Sequence, residues 1–173
     1  MDRLLKLAAG IGEKLKVREQ TIAVAESSSG GLLSAALLSV RGASAYFIGG
    51  AVVYTARARR RLTDIPDRLF VDGTIRSSSE PYALLLAKST RERFGTDWGL
   101  AETGAAGPTG NRYGDAAGHS CLAVAGAGIE CARTLETARA ERYPNMISFA
   151  VAALQLLEEQ LDRPQAGANR PSP

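Results

Sequence analysis

Lysine is scarce in this chain of 173 residues: Lys6, Lys14, Lys16 and Lys88 are the whole supply, and the remaining basic residues are arginines. Histidine is scarcer, with His119 alone, so no imidazole pair exists to build a metal cluster. The two cysteines, Cys121 and Cys131, lie in apolar surroundings without CxxC spacing. They read as small buried hydrophobes rather than as zinc or redox ligands. Aromatic residues are few, and none interleaves with the arginine run ARARRR at 56–61. That run reads as a solvated helix face rather than a nucleic-acid groove. Long apolar stretches are missing too: nothing approaches the roughly 20 residues of a membrane span. The first segment, MDRLLKLAAGIGEKLKV, is too charged for a secretory leader and has the pattern of an amphipathic helix. Together these absences predict a soluble, cytoplasmic protein with no membrane or nucleic-acid partner, and nothing calls for a cofactor or a metal. Self-association into a homo-oligomer stays open.

What is abundant is small and apolar. Hydrophobic residues make up 45% of the chain, enough for one packed domain rather than a disordered one. The many alanines and glycines suit close packing of helices on a sheet. The periodicity predicts one domain over 1–162 and a proline-rich, polar tail over 163–173. Within the domain, elements alternate. Residues 3–16 read as a helix, TIAVAES (21–27) as a strand, 30–40 as a buried helix and YFIGGAVVYT (46–55) as a strand. A basic helix starts at 56 and stops near Pro66; 78–94 is helical, with Pro81 in its first turn. WGLAETGAA (98–106) is a strand, 119–126 and 131–140 form a hairpin, and 144–161 is the last helix. Glycines in the 46–55 strand point to a bulge or a close backbone approach. Continuous apolar strands separated by helices predict an α/β fold. It is a three-layer α/β/α sandwich whose mixed, mostly parallel sheet has about five strands. The closing hairpin supplies the antiparallel part.

The stretch AESSSGG (25–31) joins an apolar strand to a helix. In an open α/β sheet, ligands bind beyond the carboxyl ends of the strands. A helix N-terminus presents free amides there, glycines let a ligand approach the backbone, and serines cap, donate or attack. A second glycine-rich loop, TGAAGPTGNRYGDAAG, follows another strand, and the two loops together mark a polar pocket. The residues alone give no reaction.

The segments AESSSGGLLSAALLSVRGASAYFIGGAVVYT and AETGAAGPTG resemble the C-terminal domain of the competence/damage-inducible CinA proteins, the nicotinamide mononucleotide deamidase family. Its pattern is AESCTGGLLAAALTDVPGSS, then VTYSNEAK, then TGIAGP. The resemblance spans about residues 5–160 and is to the stand-alone form of the domain. It implies an α/β/α fold and an amidohydrolase of pyridine nucleotide salvage. The substrate would be a small nucleotide, converted to nicotinate mononucleotide and ammonia. Carried over by motif, Ser27 is the nucleophile, and Tyr54 and Thr103 are the tyrosine and threonine of the later motifs. Arg142 is matched to an arginine of a late GDR motif. Glu26, Ser28, Ser29, Gly30, Gly31 and Gly104 fall to substrate binding with Arg142, and amides from Ser28 to Gly31 to the oxyanion or ribose phosphate.

Two departures stand out. The family lysine five residues after the tyrosine is Arg59, counted here with the catalytic residues, and the family asparagine is Ala56. Arginine keeps its proton, so a serine–lysine mechanism is not available. Arg59 is left to hold a phosphate or an oxyanion, and restoring lysine there is expected to raise turnover. In the late loop, His119 takes a threonine position. His119 and Glu26 are the substitute bases, and the rival reading is a nucleotide-binding homologue without catalysis.

Overall fold

In the computed structural model, which describes residues 1–126 and 128–163, a five-stranded sheet lies between two layers of helix. The chain runs α1 (Asp2–Val17), β1 (Ile22–Glu26), α2 (Leu32–Leu38), a 3-10 turn (Ala43–Ala45), β2 (Phe47–Val52), α3 (Ala56–Leu62) and α4 (Arg68–Val71). It continues with α5 (Glu80–Phe94), β3 (Trp98–Ala105), β4 (His119–Gly126), β5 (Ile129–Glu136) and α6 (Arg142–Leu161). The sheet order is β2-β1-β3-β4-β5. β1 pairs in parallel with β2 and β3, while β4 pairs antiparallel with β3 and β5, so β4 alone runs against the other four. The tail expected over 163–173 lies outside the described residues except for Arg163.

The two faces of the sheet are built from different side chains. Ile22, Val24, Leu100, Leu122 and Val124 meet leucines of α1, α2 and α6 in the larger core. On the other face, Ala25, Ala101, Ala123 and Ala125 leave room for α5 to lie close, through Tyr82, Ala83, Leu86 and Ala87. At Gly99 a side chain would collide with the carbonyl of Ala87. The richness in alanine and glycine therefore sets the spacing between α5 and the sheet. In β2, Gly49 and Gly50 lie under Phe94 and against Ser34, and the register with β1 shifts beside them. Both a bulge and a close approach are present.

Helix ends follow local chemistry. Ser79 caps α5 by accepting from the amide of Tyr82, Pro81 sits in the first turn, and Gly95 closes the helix with φ +62°. The short α4, which periodicity does not reveal, fills the stretch after Pro66 and brings Phe70 against Arg59. No helix among the described residues is long and apolar enough to cross a membrane.

Candidate functional site

β1 and β3 are neighbours, so the turn after β1 and the end of β3 open at the same edge. Gly30 and Gly31 take φ +66° and +100°, which glycine adopts freely, and this lets the chain reverse from β1 into α2. Under the turn lie two carboxylates with no exposed surface, Glu26 and Glu102. Glu26 accepts from the hydroxyl of Ser29, the amides of Gly31, Leu33 and Ser34, and the hydroxyl of Ser34. Glu102, from β3, accepts from the amides of Ser27 and Ser29 and from the hydroxyls of Ser28 and Ser120, and the single proton of the Ser29 hydroxyl, 2.9 Å away, is shared between Glu102 and Glu26. A buried carboxylate is costly unless its lone pairs are filled, and here hydroxyls and amides fill them.

This changes the reading of the serine–glycine turn. The amides expected to meet an oxyanion or phosphate are largely occupied by the protein's own carboxylates. Ser29 donates to Glu102, Gly31 to Glu26, and Gly30 to the carbonyl of Ser27 at 3.3 Å. The amide of Ser28 is the one left without an acceptor among the described residues. Glu26 and Ser29 lie beneath the turn with no exposed surface, and Gly30 and Gly31 shape the turn without lining either of the two cavities beside Ser27 and Ser28. Glu26 as a base is excluded by its donors and its burial.

Ser27 lies above this floor and lines a cavity of 340 Å³ with Tyr54, Arg59, Thr103 and Gly104. An adjoining cavity of 260 Å³ shares Tyr54 and Gly104 and adds Ser28 and Arg142. Arg142, at the start of α6, donates to the carbonyl of Gly107 at 2.7 Å and to the Tyr54 hydroxyl at 3.0 Å. The residues carried over by motif thus meet around two connected spaces, apart from the four beneath and within the turn.

Gly104 shows how tight this junction is. A side chain there would run into the His119 carbonyl and the backbone of Ser120 on β4. Gly104→Ala is expected to destabilise the fold by several kcal/mol, in the manner of an overpacked core. Thermal denaturation checks this; a variant within about 0.5 kcal/mol of the parent would show that β4 yields easily.

Arg59 is 5% exposed. Its Nη2 pairs with Asp67 at 2.7 Å, its guanidinium lies 3.6 Å over the Phe70 ring, and its Nη1 is buried without a partner. The basic run at 56–61 is therefore a mixed surface: its other arginines are in part solvated, and Arg59 turns inward. An ammonium put here by Arg59→Lys would stand beside Asp67, which favours the charged form. The expected gain in turnover is thus opposed by the structure.

Sequence reasoning passed over part of the wall. Ser77, Ser78, Tyr82, Asn111, Arg112 and Tyr113 complete the first cavity. The 111–115 loop is pinned there: Asn111 accepts from the Tyr113 and Asp115 amides and donates to Asp115, which a paired Arg76 grips at 2.6 and 2.9 Å. Tyr113 accepts from Arg112 at 2.9 Å and reaches Ser77 at 3.3 Å. Burial acts to raise the Tyr113 phenol, but its bonds to Ser77 and Arg112 and the charges of Arg112 and Arg59 outweigh it and bring it below its usual range. Tyr82 goes the other way, pushed up to about 12 by burial against a smaller opposing pull from Arg59.

His119 does not join this group. Its Nδ1 meets Glu136 at 2.5 Å and its Nε2 meets the Ser78 carbonyl at 2.9 Å, so both ring nitrogens are engaged. It locks the Ser78 corner, where φ is +55°, to β4 and β5. As a substitute base for Ser27 it is corrected to a structural residue. Burial acts to lower its pKa, but the bonds to Glu136 and Ser78 and the charge of Asp115 raise it overall. A folded value above the unfolded one gives stability that is full below the ordinary histidine range, about 6.5, and is lost as pH rises through the folded value. Wild type is therefore expected to lose urea resistance relative to His119→Gln as pH rises out of the ordinary histidine range and through the raised folded value. Equal slopes in the two proteins would remove the ion pair from the account.

Among the described residues no group of histidine, cysteine, aspartate and glutamate is arranged to hold a metal ion.

The sequence model of the CinA C-terminal domain matches residues 4–161. The chain is 42% identical over 121 residues to a CinA-like protein of Synechococcus sp. (strain CC9902), covering 69% of this chain and 28% of that protein. It is 36% identical over 156 residues to a CinA-like protein of Chlorobium chlorochromatii (strain CaD3), covering 88% of this chain and 36% of the relative. The chain thus spans about a third of the length of these relatives. Among solved structures, the competence/damage inducible protein of Agrobacterium tumefaciens superposes with a TM-score of 0.83 at 26% identity, over 93% of this chain and 96% of that one. The competence or damage-inducible protein of Enterobacter asburiae gives 0.85 at 26% identity, over 92% and 98%.

Proposed function

We propose, from the premise that this chain belongs to the family of CinA C-terminal domains, that it hydrolyses the carboxamide of nicotinamide mononucleotide. The observation that carries this reading is the placement of Ser27. It sits half-buried at the carboxyl end of β1 and lines a cavity with Tyr54 and Thr103, while Glu102 beneath holds its amide in place. Ser27 Oγ attacks the carboxamide carbon. The carbon–nitrogen bond breaks, ammonia leaves with the proton, and an ester on Ser27 remains. Water then cleaves that ester, releasing nicotinate mononucleotide and restoring the hydroxyl. The amide of Ser28, next along from the nucleophile, is the donor for the oxyanion.

The family lysine is absent, Glu26 and His119 are engaged elsewhere, and Tyr113 lines the cavity with Ser27, its phenol, despite burial, brought below its usual range by its bonds to Ser77 and Arg112. In this reading Tyr113 accepts the Ser27 proton, directly or through one water. Tyr113→Phe is expected to lower kcat by about 10²-fold or more, with the alkaline side of the pH profile altered. An unchanged kcat and profile would pass the base role to water alone.

Ammonia release from nicotinamide mononucleotide by the purified protein tests the activity. The second reading, a nucleotide-binding homologue without catalysis, is favoured by Arg59 at the lysine position. It predicts nucleotide binding with no ammonia.

A further inference from the structure

We propose that the substrate's phosphate monoester is held by Arg59 and Arg112, on the side of the cavity away from Arg142. This rests on the reading above and adds which arginines take the anion. Nη1 of Arg59 is a buried donor with no partner, on a side chain only 6% exposed. Leaving such a donor unmet is costly unless a ligand meets it. Asp67 already holds Nη2 and the guanidinium lies over Phe70, so Nη1 is the group of the fork left to meet a ligand.

The surrounding charge agrees. The 340 Å³ cavity is lined by Arg59 and Arg112 and by no carboxylate. A further space of 220 Å³ shares Ala56, Arg59, Ser77, Arg112 and Tyr113 with it and adds Arg76, again with no carboxylate. Ser27 and Thr103 line only the first of these spaces. Arg59 and Arg112 therefore border both spaces, and a substrate anchored at Ser27 in the first extends toward the second past them. The Ser77 hydroxyl on the same boundary offers a further single donor, so with Arg59 and Arg112 three groups face a tetrahedral anion with three free oxygens. Arg142 is a poorer candidate, because its guanidinium already serves the Gly107 carbonyl and Tyr54.

The test is equilibrium binding, which needs no turnover. Nicotinate mononucleotide and nicotinate riboside, which differ by the phosphate, are titrated into wild type, Arg59→Met, Arg112→Met and Arg142→Met, with inorganic phosphate as competitor. Wild type is expected to bind the mononucleotide about tenfold or more tightly than the riboside, as charge-assisted hydrogen bonds imply. Arg59→Met and Arg112→Met should remove that ratio, and Arg142→Met should keep it. Inorganic phosphate should displace the mononucleotide from wild type and lose that effect in the first two variants. Arg112 lies on an exposed loop, so Arg112→Met carries the comparison even where Arg59→Met fails to fold. A ratio near one in wild type, no binding of either ligand, or a ratio lost in Arg142→Met and kept in the other two overturns the proposal. A protein that shows the Arg59-dependent ratio yet releases no ammonia would retain this site and refute the deamidase reading alone.

Discussion

Glu102→Ala is expected to cost about 3 kcal/mol of stability or more, since each buried donor left unmet costs about 1–3 kcal/mol. Glu102 is fully buried and accepts from Ser27, Ser28, Ser29 and Ser120. Without its oxygens, the amides of Ser27 and Ser29 and the hydroxyls of Ser28 and Ser120 lose their acceptor inside the protein, while the Ser29 hydroxyl keeps Glu26. Glu102→Gln is the informative companion. It keeps the volume and one acceptor but points an NH2 group at donors, so it should recover only part of the loss. Urea denaturation of the three proteins reads the effect. A Glu102→Ala protein within about 0.5 kcal/mol of wild type would mean that water enters the turn and the carboxylate is not its foundation.

Ser27→Ala is expected to do the opposite: abolish turnover, by about 10⁴-fold or more, and leave stability nearly unchanged. The turn does not depend on the Ser27 hydroxyl. Its amide holds Glu102, its carbonyl accepts from Gly30, and among the described residues its Oγ has no protein partner. Ser28→Ala and Ser29→Ala make the contrast, since those hydroxyls bond to Glu102 and their loss should appear first in denaturation. Initial rates and melting curves on the three variants separate the roles. Retained activity in Ser27→Ala would remove the covalent step and leave attack by water.

Much of the fold was legible because its signals are local. The apolar strand 21–27, the caps of α5 and the closing hairpin each follow from a short window, and their neighbours in the sheet follow from continuous burial. The serine–glycine turn was legible as a turn from strand into helix, and Gly30 and Gly31 hold the positive φ it needs. What stayed hidden depends on separation in sequence. Glu102 meets Ser27 from 75 residues away, and it was written in the strand WGLAETGAA as its lone charge, a signal that was there to be found. Glu26, adjacent to the serines, read as part of a ligand surface because sequence does not tell which face of a turn a side chain takes. Arg59 was singled out by the family resemblance, while composition alone gave its run a solvated face; only Phe70 and Asp67, brought over by the short α4, show that it turns inward. Arg112 and Tyr113 sit in a loop whose position is set by Arg76 and Asp115, a pairing across 39 residues.

The central claim is that Ser27 carries out amide hydrolysis, and the most direct measurement captures the enzyme during turnover. Wild type is mixed with nicotinamide mononucleotide, quenched in acid within the first turnovers, and analysed by intact mass and by peptide mapping across residues 25–38, with ammonia counted in the same samples. The account predicts a nicotinate mononucleotide ester on Ser27, formed with one equivalent of ammonia and absent from Ser27→Ala. No ammonia, or ammonia released at an undiminished rate by Ser27→Ala, would contradict it.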